Sequence, residues 1–480
     1  MNGESTRFSV HLETIAADKE WTGARLGRLR NGDTSVCLWT PTWVLPTVRG
    51  AVPAVNNDVV REEAFAFANR SDRSMATEFV AVGDGVIDDL CGSSMEESWR
   101  PLFQLGLLDF IAMKGGNGPN GAETLRAATS VSGGGAREFC NLNGLAPSLL
   151  LSIRSTLCPF DFIEDDAQPR VLQEETSGAR CLRGDARGTR VLAGSESVLE
   201  LQQAARCEFY ESLYEPVVAP PHSSIAPTRA VDRTIHWAAE MLRSASERDT
   251  PGKMVLSVTG GACIAERQRC ATAMMQLALQ RPRQVGGFNV VGLGLGNESP
   301  AEGHAAVVAV ARQVRQSIPH LPLFATGGGG AYATGSPLQV LRLIAAGVDV
   351  VESRYPLVLA EYDIALDLFG ESVENGETDA PPYSGQLHLR SLRHARDARP
   401  ILLTRGDTHS VRCCTVGRQY SRAYLHHLLK VHEMLGSMLL TLHNLQQYCA
   451  WFAAIRHSLR HGGFNAFYRR VADAHHRSLR

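Results

Sequence analysis

Few residues in this chain stand where their type and spacing could do chemistry, and Glu352 leads them. An apolar run from Leu321 to Ala325 leads into the glycines Gly327 to Gly330, an amphipathic segment covers Pro337 to Ala346, and a second apolar run, Val348 to Val351, stops at Glu352. That order is strand, crossover helix, strand, with proline at the helix start and Gly347 at its stop. A carboxylate at the C-terminal end of a buried strand is where a parallel α/β barrel places its chemistry. Glu352 could equally pair with Arg354 and simply close the strand, since structural ion pairs gather at such places too. A second group is made of glycines at successive strand ends, Thr259-Gly260-Gly261, Gly294 to Asn297 and Thr326-Gly327. Such glycines let backbone approach a flat ligand, or they make tight turns between strand and helix. The adjacent thiols Cys413 and Cys414 are a third candidate.

The elements that must position these groups become regular after Arg229. Arg229 to Ala245 carries Val231, Ile235, Ala238 and Leu242 on one helical face. The apolar runs Lys253–Val258, Gly286–Leu293, Leu321–Ala325 and Val348–Val351 then follow at the spacing of a βαβ unit, about 30 residues. Amphipathic segments at Ala265–Gln280, Ala301–Ile318 and Pro337–Ala346 fill the gaps, so the sheet is expected to be parallel and, given the repetition, a barrel. Residues 8 to 60 read as an antiparallel entry sheet, while Ala64 to Phe110 gives mixed signals. Polar or glycine-rich inserts are expected near 112–137, 164–197 and 369–398. A final helical region from Arg418 to about Leu459 has Tyr420, Tyr424, Leu428, Val431, Leu435, Met438 and Leu442 at spacings of three and four, one long apolar face for a core or a partner.

Composition excludes several classes. The 480 residues are 44% hydrophobic and 20% charged with a formal net charge of -2, which supports a sizeable core and gives no global basic field for nucleic acid. A local basic tail follows Trp451, with Arg456, Arg460, Arg469, Arg470, Arg477 and Arg480 against Asp473. No apolar run reaches the roughly 18 residues of a membrane helix. The first residues, with Glu4, Glu13, Asp18 and Glu20, carry no signal-peptide core. The expectation is a cytoplasmic protein without a transmembrane segment, with the mitochondrial outer surface or the nucleus as other locations. The odd count of 11 scattered cysteines fits reduced thiols.

Several strings resemble one family. RQYSRAYLHHLLKVHEMLGSMLLTLHN, Arg418 to Asn444, is similar to the C-terminal zinc-subdomain helix of tRNA-guanine transglycosylases. VTGGACIAER (Val258 to Arg267), VGGFNVVGLGLGN (Val285 to Asn297) and AAGVDVVESRYP (Ala345 to Pro356) resemble three of that family's strand ends, in the same order. The resemblance implies a (β/α)8 TIM barrel with surface inserts over residues 1 to 400 and a zinc-type helical subdomain over 401 to 480. It also implies an enzyme complex that exchanges guanine for queuine in the anticodon of tRNA. By the same correspondence Thr259, Gly260, Gly261, Gly292 and Leu293 fall at substrate-pocket positions.

The departures shape the expected role. Glu352 stands where the family has its nucleophilic aspartate, Thr259 where it has a base-recognising glutamine and Val291 where it has a glycine, and no D-S-G-G-[FY]-Q string exists. LVLAE, Leu357 to Glu361, replaces the tRNA-binding string. ESRYPLVLAE, Glu352 to Glu361, instead resembles the corresponding segment of the family's eukaryotic non-catalytic subunits. That resemblance implies no catalytic residues in this chain. It implies as partners a catalytic queuine tRNA-ribosyltransferase subunit in a heterodimer, tRNA with a GUN anticodon, and queuine through the complex. The alternatives are an active enzyme with Glu352 as nucleophile, or a barrel that binds tRNA or a base without any catalytic complex. The family's zinc ligands fall at Arg412, Cys414, Gly417 and His443, so only Cys414 and His443 survive, and Cys413 and His409 would have to complete a tetrahedral set.

Overall fold

The computed structural model describes residues 10–17, 23–31, 37–47, 50–60, 101–106, 125, 127, 135–142, 149–152, 180–183, 190–215, 217, 227–261, 263–291, 300–326, 336–368, 386–401, 416 and 419–478. The chain forms two compact units, one of Met1–Ala51 with Leu102–Ser353 and one of Val52–Pro101 with Arg354–Arg480.

The first unit opens with an antiparallel sheet, β1 (Val10–Ala17), β2 (Arg25–Asn31) and β3 (Cys37–Thr40), as expected for the entry segment. The next strand departs from that expectation. β4 (Thr42–Pro46) follows after one residue, yet it leaves the antiparallel sheet and starts a closed barrel. The barrel continues with β5 (Leu102–Gly106) and β6 (Leu149–Ser152). A two-stranded antiparallel ribbon, β7 (Arg180–Arg183) and β8 (Arg190–Ala193), intervenes before β9 (Phe209–Glu211). β10 (Lys253–Val258), β11 (Val285–Val290), β12 (Leu323–Ala325) and β13 (Val350–Glu352) complete the ring, and β13 pairs with β4 to close it. All eight barrel strands are parallel, so the expected α/β, (β/α)8 architecture is the one observed.

Helices Pro227–Glu247, Ile264–Gln280, Pro300–Ser317 and Pro337–Ala345 connect the later strands and match the amphipathic segments read from the sequence. The barrel strands are buried on both sides, which is why they read as apolar runs and not as alternating ones. Leu29 and Leu38 of the antiparallel sheet join Val44, Leu150, Phe209, Val255, Phe324 and Val350 in one core cluster. Phe209 and Phe324 meet edge to face with centroids 5.4 Å apart. Arg25 of β2 bonds Asp349 just before β13 and the carbonyl of Leu321 just before β12, so the entry sheet covers the N-terminal end of the barrel and leaves the C-terminal end for other work.

The second unit contains a short hairpin, β14 (Ile364–Leu366) with β15 (Gln386–His388), and helices Tyr355–Glu361, Arg422–Lys430, Met434–Arg460 and Phe464–Ser478. The long helix anchors it through an aromatic cluster in which Tyr448 stacks on Trp451 at 5.6 Å and Phe452 meets both edge-on. The helical region expected to run unbroken from Arg418 is interrupted. His432 takes φ 60°, and the amide of Glu433 bonds the carbonyl of Leu428, a left-handed cap that ends one helix before the next begins. The apolar face is therefore split. Leu428 and Leu442 are buried at 7% and 3% exposure, whereas Val431 and Leu435 lie open at 50% and 41%.

Candidate active site

The C-terminal ends of the barrel strands collect the residues that could act. Glu352 is the last residue of β13, pairs in register with Val44 of β4, and is partly exposed. That is the strand-end carboxylate expected from the sequence.

Thr259 follows β10 and is buried. Its hydroxyl donates to the carbonyl of Glu215 at 3.1 Å. A threonine has one hydroxyl proton, so this bond commits the only side-chain donor at the position that the resemblance assigned to base recognition. Gly260 and Gly261 adopt φ 146° and 58°. A Cβ on Gly260 would lie 2.7 Å from the backbone nitrogen of Arg267, and one on Gly261 would lie 2.7 Å from Cγ1 of Val217. Of the two explanations left open for these glycines, close packing of the turn, against the following helix at Gly260 and against Val217 at Gly261, is thus sufficient. Gly292 and Leu293 lie outside the described residues.

Two sets of residues went unnoticed in the sequence. The first is Arg267, buried at 1% exposure, whose Nη1 donates to the carbonyl of Val291 at 2.8 Å and whose Nε donates to that of Gly261. One guanidinium so joins the turns after β10 and β11. Its spacing, eight residues past Thr259 in the first turn of a helix, carried no local signal. The second is a buried polar cluster of Ser152, Glu211, Asn289 and Thr326, drawn from the ends of β6, β9, β11 and β12. Glu211 Oε2 accepts from Ser152 Oγ at 2.8 Å, and Oε1 accepts from Thr326 Oγ1 at 2.8 Å and Asn289 Nδ2 at 3.2 Å. A lone glutamate in an apolar strand, FYE, was the only sequence signal for it.

The zinc ligands are not brought together among the described residues. His443 is buried in the second unit, and its Nε2 bonds the carbonyl of Leu366 at 2.9 Å. Burial pushes it down to about 4, so it is neutral at pH 7. His409, Arg412, Cys413, Cys414 and Gly417 lie outside the described residues, and no group of three or more His, Cys, Asp or Glu among the described residues is placed to hold a metal. The described side chains alone do not fit a tetrahedral zinc site. No helix among the described residues is long and apolar enough to cross a membrane.

Comparison with known proteins supplies a family. A model described as queuine tRNA-ribosyltransferase matches residues 172–477. The queuine tRNA-ribosyltransferase of Brucella suis biovar 1 (strain 1330) is 30% identical over 273 residues, 57% of this chain and 62% of that protein. The queuine tRNA-ribosyltransferase accessory subunit 2 of Xenopus tropicalis is 29% identical over 310 residues, 58% of this chain and 69% of that protein. Its counterpart from Xenopus laevis is 27% identical over 312 residues, again 58% of this chain and 69% of that one. The match thus spans 62% of the Brucella relative's length.

Proposed function

As the chain belongs to the queuine tRNA-ribosyltransferase family, we propose that it is the non-catalytic subunit of a heterodimer that exchanges guanine for queuine at the tRNA wobble position. The observation that carries this reading is the state of the base-recognition position. Thr259 is buried and spends its hydroxyl proton on the Glu215 carbonyl. Glu352, one methylene longer than aspartate, stands at the nucleophile position, and misplacing a reacting group by about 1 Å costs on the order of 100-fold. The second catalytic string is missing from the sequence.

In the complex the chemistry is a double displacement at the ribose C1 of the wobble nucleotide. A carboxylate of the catalytic partner attacks C1 and expels guanine, and queuine then displaces the carboxylate. This chain contributes binding surface. Val431, Met434 and Leu435 expose apolar side chains around the break at His432, at 50%, 82% and 41%. A recess of about 330 Å³ bordered by Asp363, His432, Glu433, Met434 and Met438 lies beside them. An exposed apolar patch rimmed by charge fits a protein partner. Exposed Arg469 and Arg470 on the last helix suit tRNA phosphates. The cytoplasm, where tRNA meets such a complex, is the proposed location.

The test is a base-exchange assay on tRNA with a GUN anticodon, using the purified chain alone and with a catalytic subunit. Exchange is expected only in the mixture. Robust exchange by the single chain, abolished by Glu352→Gln, would establish the alternative in which Glu352 is the nucleophile, an alternative favoured by its place at the end of β13. Binding of tRNA without exchange in any mixture would leave a binding barrel outside a catalytic complex.

A further inference from the structure

The cluster around Glu211 is not accounted for by lost catalytic groups, because its members are placed as a working unit. All four are buried at 2% exposure or less. In the ring the order runs β6, β9, β10, β11, β12, so the bonds from Glu211 to Asn289 and Thr326 skip over β10 and pass through the barrel interior. They are not part of any strand ladder. Asn289 also donates from Nδ2 to Thr326 Oγ1 at 2.6 Å, and its Oδ1 accepts from the backbone amide of Thr326 at 3.0 Å. The amide group of Asn289 is oriented by Glu211 and in turn holds the main chain of Thr326. Thr326 is the residue from which the chain enters Gly327 to Gly330.

We propose that Glu211 is a positioning residue for the barrel mouth, acting through Asn289 to hold the backbone of Thr326 where the chain leaves β12. The position requires acceptors on two sides, one toward Ser152 and one toward Asn289 and Thr326. A carboxylate supplies them without any competing donor. A glutamine can replace it, with its oxygen toward Asn289 and Thr326 and its amide toward Ser152, whose hydroxyl turns to accept. A leucine cannot, and it removes the acceptor of three buried donors, on Ser152, Asn289 and Thr326, in a network whose strength depends on full satisfaction.

The test is amide hydrogen exchange resolved at Thr326, comparing wild type, Glu211→Gln, Glu211→Leu and Asn289→Ala. The expected result is acceleration of the Thr326 amide by about 10- to 100-fold in Glu211→Leu, the range that orphaned buried donors imply, with near-wild-type protection in Glu211→Gln. Asn289→Ala, which leaves Glu211 in place, gives the same local acceleration and decides the matter if Glu211→Leu does not fold. Equal loss in Glu211→Gln and Glu211→Leu, unchanged Thr326 protection in Asn289→Ala, or loosening spread evenly over all eight strands overturns the proposal. A second readout rests on the proposed function. In the heterodimer, Glu211→Leu raises KM for tRNA several-fold and leaves kcat unchanged, since the reacting groups belong to the partner. An unchanged KM alongside the expected exchange pattern shows that this mouth does not touch tRNA in the heterodimer and leaves the hold of Glu211 on Thr326 standing.

Discussion

Replacing Asp349 by asparagine is expected to destabilise the barrel unit without touching its mouth. Asp349 is 1% exposed and precedes β13, at the N-terminal end of the barrel. Its Oδ1 and Oδ2 accept from Arg25 Nε and Nη2 at 2.9 and 3.0 Å, and Oδ2 also accepts from Arg315 Nη2 and from the backbone amide of Leu323 at 2.8 Å. One carboxylate thereby ties the entry sheet, the helix Pro300–Ser317 and the start of β12. Both arginines are buried, at 7% and 8%. Burial pulls Arg315 down to about 10 although Asp349 opposes the shift. The asparagine leaves two desolvated guanidiniums without their charge partner, a situation that costs about 3–5 kcal/mol. The lower end applies, because backbone carbonyls of Gly347, Ile318 and Leu321 still receive Arg315. About 3 kcal/mol in a unit this large corresponds to a fall of about 6 °C in Tm. Scanning calorimetry of Asp349→Asn, Arg315→Met and the double variant measures it. The double variant should lose less than the sum of the singles by about 1–2 kcal/mol, since the two side chains share one network. A Tm within about 2 °C of wild type for Asp349→Asn, or strict additivity in the cycle, would mean that Asp349 does not hold the two arginines in one network.

Other outcomes follow from single groups. Burial, helped by Arg342, pushes His304 down to about 4 from 6.5. The unfolded chain therefore takes up a proton that the folded chain refuses, so stability falls as pH drops from about 6.5 to about 4 and falls no further from this group below that. After allowance for its partial exposure the loss is about 2 kcal/mol; urea midpoints should show His304→Gln flattening this part of the acid limb, and an unaltered slope contradicts it. At the split apolar face, Leu435→Asp should leave the fold intact and weaken pairing with a catalytic subunit, whereas Leu442→Asp, at 3% exposure, should unfold its unit; wild-type affinity for Leu435→Asp in sedimentation measurements removes this patch as the interface. Metal analysis of the purified chain tests the eroded zinc motif: any zinc present should be lost in both Cys413→Ser and His409→Ala, and one tightly held zinc surviving both contradicts the completed ligand set.

Half of the barrel was legible because β10 to β13 alternate with helices of nine to eighteen residues whose periodicity is unmistakable. The other half was hidden by shortness and context. LLLS at Leu149–Ser152 and FYE at Phe209–Glu211 are too brief for a period to declare itself. Thr42–Pro46 follows an antiparallel strand so closely that it reads as part of the same sheet. The break at His432 uses neither glycine nor proline, and the spacing of apolar residues carries on across it, so a single helix was the natural expectation. At the site, Glu352 and the glycine turns could be found because they sit at the ends of recognisable strands. Glu211 could not, since its bond to Thr326 joins residues 115 apart and leaves no local pattern.

In the proposed heterodimer another chain supplies the reacting carboxylate. The most direct test incubates this chain, a catalytic subunit and tRNA with no incoming base, then separates the products on a denaturing gel that resolves the two subunits. The covalent tRNA adduct should form on the catalytic subunit alone and be unchanged by Glu352→Gln in this chain. An adduct on this chain that disappears with Glu352→Gln would make Glu352 the nucleophile and this chain a catalytic one.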